Sequence, residues 1–206
     1  MSAWLSIVLA GAAVSPATPV EPNTWFNSKD NPKTAMRVAE RGHVAYTIDV
    51  AADGTPLRCT PDEKSDLDQD VCALVMKRAR FLPAKDDQGQ PVAGAYEAVA
   101  SFLMPGKQRS RPDRSKLAVA VDSLPAGVTS PAFARVAFLV EGAGTVSHCA
   151  PLAGERRRFQ QTVPALGPAA CAALARDYHP SPMTDATGAA VASVQSATVR
   201  FEVRAR

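Results

Sequence analysis

The same set of turn, cysteine and proline positions occurs twice along this chain. The first half carries Asp53-Gly54, Cys59, Cys72, Pro83, Gly89 and Val92; the second carries Ala143-Gly144, Cys149, Cys171, Pro182, Gly188 and Val191. In both halves Cys follows Gly by five residues, Pro follows the second Cys by eleven, Gly follows Pro by six and Val follows Gly by three. Alternating apolar positions superpose as well: Tyr46, Ile48 and Val50 on Val136, Phe138 and Val140, and Val99 and Phe102 on Thr198 and Phe201. Only the stretch between the cysteines differs, being nine residues longer in the second half. Fixed offsets of this kind signal a duplicated unit. They direct 206 residues into two small tandem modules.

Each unit reads as ββαβ. Val44-Ala45-Tyr46-Thr47-Ile48-Asp49-Val50 alternates with period two and is rich in β-formers, which predicts a half-buried strand. Asp53-Gly54 predicts a hairpin turn, and the returning strand ends at Cys59. Asp66-Leu67-Asp68 then leads into Val71 to Ala79, with acids first, apolar residues at helical spacing and bases last. Pro83 bars its continuation, and residues 96–104 return as a third strand. The second half repeats the scheme, with strands from Arg135 and from Ala197 and a helix near Pro168. The expected fold is α+β: two tandem ββαβ modules, each a small antiparallel sheet on one helix.

Ala3 to Val14 is an uncharged apolar run, too short for a bilayer, which needs about 20 residues. No Lys or Arg precedes it, but Ala10-Gly11-Ala12 and Ser15-Pro16-Ala17 supply small residues suited to cleavage. Residues 1–20 therefore read as an export signal, with an inner-membrane tether as the alternative. Four cysteines suit an oxidising compartment. They allow three connectivities, and the repeat selects Cys59–Cys72 and Cys149–Cys171.

Composition removes other classes. Lys+Arg 23 against Asp+Glu 20 gives a net charge of +3, too mild and too scattered for a nucleic-acid partner. There are three histidines, and only His148-Cys149 places an imidazole beside a thiol. Neighbours on a strand point to opposite faces, so the two do not form a nucleophile pair. A zinc set of His148, Cys149, Cys171 and His179 fails on the repeat, because Arg58 stands where a duplicated site needs a histidine. No enzyme, metal or cofactor is expected.

Gly42-x-Val44, the alternating strand, Asp53-Gly54, Leu67-Asp68, Arg80-Phe81-x-Pro83-Ala84 and Gly89-x-Pro91-Val92 together resemble the C-terminal domain of TonB-type energy transducers. Pro32-x-x-Ala35 is similar to the short helix that precedes the family's first strand. The resemblance covers 25–104; residues 131–206 follow it in degenerate form, with His179-Pro180-Ser181-Pro182 in place of Arg-Phe-x-Pro. It implies a periplasmic module that binds an extended segment of an envelope protein, a TonB-dependent outer-membrane transporter above all, by strand addition. A full transducer also has a membrane-spanning helix and a long spacer, and neither is visible here. Strand addition needs an edge, and the last strand of each module, 96–104 and 197–203, is the candidate, with Tyr96, Val99, Phe102 and Met104 as its binding residues.

Residues 105–130 are expected to be an exposed basic connector. The alternative to peptide binding is an assembly role, in which the modules pair with each other or with a second copy. An exposed edge in the first module favours binding; one sheet continuous through both favours assembly.

Overall fold

A computed structural model of the chain describes residues 13–27, 43–102, 112–152 and 162–204. Residues 1–12 of the expected leader, the Pro32-to-Ala35 lead-in, Met104 and the basic residues Arg109 and Arg111 lie outside them.

The chain order is β1 (Thr18–Pro19), a 3-10 turn (Pro22–Thr24), β2 (His43–Val50), β3 (Pro56–Pro61), α1 (Asp66–Arg78), β4 (Phe81–Leu82), β5 (Ala84–Lys85) and β6 (Pro91–Ser101). There follow β7 (Ser115–Val121), β8 (Ala132–Val140), β9 (Val146–Pro151), α2 (Gly167–Asp177), β10 (Met183–Thr184), β11 (Ala190–Val191) and β12 (Ser193–Val203). The architecture is mixed α+β. Turn chemistry sets the hairpins. Gly54 and Gly144 take φ of +88° and +84°, and Gly89 and Gly188 take +77° and +86°, a region open chiefly to glycine. At Gly54 a Cβ would also lie 2.2 Å from the Phe81 carbonyl oxygen.

Helix α1 starts at a capping box: Ser65 Oγ accepts from the Asp68 amide, and the Asp68 carboxylate accepts from the Ser65 amide. Leu67, Val71 and Val75, one turn apart, are wholly buried against Ile48 and Val50 of β2. In α2 the buried stripe is Ala170, Ala173 and Leu174. Each helix is covalently tied to the strand beside it. Cys59 of β3 bonds Cys72 of α1, and Cys149 of β9 bonds Cys171 of α2, with Cα–Cα distances of 5.5 and 5.6 Å.

The strands do not form two sheets. Apart from the two-stranded pairs β1–β4 and β10–β11, they merge into one eight-stranded sheet of order β3-β2-β6-β12-β8-β9, with β5 paired to β6 and β7 to β12. The join is parallel, Ala93 beside Ser193 and Gly94 beside Val194. Gly94 permits it, since a Cβ there would lie 2.8 Å from Ala84 Cβ and 3.2 Å from the Val194 carbonyl oxygen. Strand β8 shows what this does to the core. Val136, Phe138 and Val140 belong to the cluster under α2, whereas Ala137 and Leu139 belong to the cluster under α1. Since alternate residues of a strand face opposite ways, the two helices pack on opposite faces of a shared sheet.

Two further expectations change. The connector at 105–130 contains a full strand, β7. Residues 13–20, expected to belong to the leader, set two side chains in the first core, Val14 and Ala17, each 4% exposed.

Candidate functional site

Strand β6 is placed by β2 on one side, where Gly94 to Ser101 pair antiparallel with Val50 to His43. On its other side the ladder with β12 spans Ala93 and Gly94. The N-terminal segment pairs with β4 and β5 and reaches β6 through the Trp25 ring on Tyr96. Trp25 is 2% exposed, and its ring stands edge-on to Phe81 at 5.3 Å and to Tyr96 at 6.0 Å. Its indole N–H donates to the Val20 carbonyl at 3.2 Å, and Arg78 donates to the Trp25 carbonyl at 3.0 Å. Phe26 stands edge-on to Phe102 at 6.1 Å. Between this segment and β6 lies a groove of about 330 Å3, lined by Pro22, Trp25, Phe26, Tyr46, Tyr96, Val99 and Ser101 among others.

The groove is mixed in character, with Trp25, Phe26 and Val99 beside Asn23, Ser101 and the two tyrosines. Burial, together with the neighbouring Tyr96 phenol, pushes the Tyr46 hydroxyl well above the ordinary tyrosine range, while Arg114 pulls the other way. Tyr46 is therefore a neutral donor at any physiological pH. His43 Nδ1 and Ser101 Oγ share a hydrogen bond of 3.0 Å.

Of the residues named from sequence, Tyr96 and Val99 line the groove and Phe102 packs on Phe26 beside it. The expected second edge, 197–203, is not an edge. Strand β12 pairs with β8 from Ser193 to Phe201 on one side and with β7 from Thr198 to Val203 on the other. The outermost strands of the sheet are β3 and β9. Both are poor acceptors: β3 begins and ends in proline, and β9 ends in Pro151 and is bulged at His148, whose φ is +46°. His148 faces Asp87 at 3.4 Å, and both neighbouring thiols are used in disulfides.

Trp25 and Phe26 are not among the residues that the sequence pattern singles out. Their adjacency, just after the leader, was the one signal available. Strand β7 had a clearer one, since Leu117, Val119 and Val121 alternate with Lys116, Ala118 and Ala120.

What the site offers is aromatic, aliphatic and neutral polar contact along a strand, with no charged residue in its lining, on a disulfide-bearing α+β module. Residues 28–103 match the family described as Gram-negative bacterial TonB protein C-terminal. No curated protein and no solved structure shows a significant match to the chain. Domains of the matched family are protein-interaction modules of the Gram-negative envelope that engage outer-membrane transporters in general. No described helix is long and apolar enough to cross a membrane.

Proposed function

We propose that this chain is an exported periplasmic protein built from two copies of a TonB-like ββαβ module. The first copy binds an extended segment of an envelope protein, such as an outer-membrane transporter, by adding it beside β6. The observation that carries this reading is the groove between Trp25–Phe26 and β6, whose β6 wall lies within the matched residues 28–103 and whose Trp25–Phe26 wall precedes them. A segment lying there meets Tyr96 and Val99 with apolar side chains and the rim of β6 with its main chain. Duplication is supported by the equal glycine geometries and by the like disulfides, each joining a returning strand to its helix.

The continuous sheet, in which β6 lies between β2 and β12, is the outcome that favours the second reading, assembly. The sheet runs through both halves, and Leu139 of the second contributes to the first core. This favours an assembly role for the second half, as a packing partner that fixes the first.

Affinity capture tests the binding reading. The oxidised protein, presented to detergent-solubilised envelope, is expected to retain outer-membrane transporters, and Tyr96→Ala with Val99→Pro is expected to abolish that. Recovery of the chain alone, at any salt concentration, leaves the assembly reading.

A further inference from the structure

Strand β7 is set apart from its neighbours. It lies in the segment between the halves, yet it joins the sheet, running parallel to β12 with Ser115 beside Thr198 and Val121 beside Val203. None of its residues is buried. Leu117, Val119 and Val121 pack half-buried against the second core, and Lys116, Ala118 and Ala120 are exposed. The other shallow strands, β3 and β9, are tied down by disulfides. Strand β7 is held instead by a clasp at its start. Arg114 donates to the main-chain carbonyls of Tyr46 and Ala98, at 3.1 and 3.0 Å, and to Asp62 at 2.9 Å. Arg200 Nη1 donates to Asp113 at 3.2 Å, and Lys116 pairs with Glu97 at 2.7 Å.

We propose that β7 is a ligand strand supplied by the chain itself. Residues 113–121 occupy in cis an acceptor edge on β12, and an extended partner segment with apolar residues at every second position takes their place in the same parallel direction. The class of partner rests on the strand-addition reading; the location does not. Exchange is nearly like for like. An incoming segment of this pattern remakes the ladder and the three apolar contacts. What it does not remake is the clasp, of which the exposed ion pairs contribute about 0–1 kcal/mol each. Arg114 is different, with a side chain only 14% exposed and two main-chain carbonyls among its acceptors, so it is the pin. A tethered strand competes at an effective concentration in the millimolar range. Apparent affinity for an outside segment therefore falls by the fraction of time the edge is open.

The test uses the full oxidised chain and a fluorescent peptide with the sequence of residues 113–122, bearing a photoreactive group at the position of Leu117. Arg114→Gln is expected to tighten peptide binding about tenfold or more over the wild type, with cross-links on Val199 and Phe201. Val119→Asp, which spoils the tethered strand by placing a carboxylate against the second core and leaves β12 unchanged, is expected to do the same. If both variants bind no better than wild type, or cross-link only to 96–101, the proposal is overturned. The second of these outcomes leaves the β6 groove standing, whereas failure of that groove shows separately, as lost transporter capture. Should a variant not fold, amide exchange on the wild type decides. Amides of 117–121 are expected to exchange at least tenfold faster than those of β12 facing β8, and equal protection overturns the proposal.

Discussion

Ser15 and Lys85 exchange both main-chain hydrogen bonds, at 2.9 and 2.8 Å, and so fasten the N-terminal segment to the strand that leads into β6. Val20 adds a third, to the Arg80 carbonyl at 2.8 Å. Val14, just before the first anchor, and Ala17, between the two, are buried.

Removal of the segment as part of a leader would therefore open the first core. Under the export we propose, the mature chain is expected to begin at Ala13, after Ala10-Gly11-Ala12, and not at Thr18, after Ser15-Pro16-Ala17. Intact mass of protein recovered from the periplasm decides between them. Deleting 13–20 is expected to lower unfolding stability by about 3 kcal/mol, from lost apolar burial and three main-chain bonds, measured by urea denaturation.

The seam between the halves depends on Gly94. Its missing Cβ would meet Ala84 Cβ at 2.8 Å, the Val194 carbonyl oxygen at 3.2 Å and Ala17 Cβ at 3.3 Å. Gly94→Ala is expected to cost about 1–3 kcal/mol, as overpacking does. Gly89→Ala meets no atom within 4 Å and strains only a φ of +77°, so it is expected to cost about 1 kcal/mol. Equal losses in urea titrations would contradict the seam.

These two glycines also mark what was legible in the sequence. Gly89 belongs to a turn, its demand is local, and its spacing was readable. So were the hairpin at Gly54, the alternation of β2, the amphipathic stripe of α1 and both disulfides, since each depends on residues close in sequence or on the repeat. Gly94 answers to Val194, a hundred positions away, and nothing near it records that partner. The join of β6 to β12, the return of β7 and the docking of Trp25 are of the same kind. The site was therefore half visible: Tyr96 and Val99 stood out on the last strand of the module, whereas the wall opposite them, Pro22, Trp25 and Phe26, follows the expected leader and carries no pattern that places it against β6.

The clasp on β7 has a pH signature. Burial raises the Asp113 carboxyl, but hydrogen bonds from Ser115 and the charge of Arg200 outweigh it and hold the group below the ordinary carboxylate range. A depressed folded value means a contribution fully present above the unfolded value of about 3.9 and lost as pH falls through the folded one. The stability gap between wild type and Asp113→Asn is expected to be complete at neutral pH and to close only in acid below that value. A gap unchanged at low pH would contradict it.

Each disulfide is expected to contribute on the order of 3 kcal/mol. The second closes the longer loop, 22 residues against 13, and paired Ser replacements at Cys149 and Cys171 should cost more than those at Cys59 and Cys72 by about 0.5 kcal/mol. Urea midpoints of the two double variants give the comparison.

The central claim, that a partner segment lies beside β6, is tested most directly by site-specific photo-cross-linking in the envelope. A photoreactive residue is placed in turn at Ser101 on the groove, at Thr60 on β3 and at His148 on β9. Adducts with an outer-membrane transporter from position 101, and none from 60 or 148, are the predicted result. Adducts from the outer strands alone, or only between copies of the chain, would contradict it.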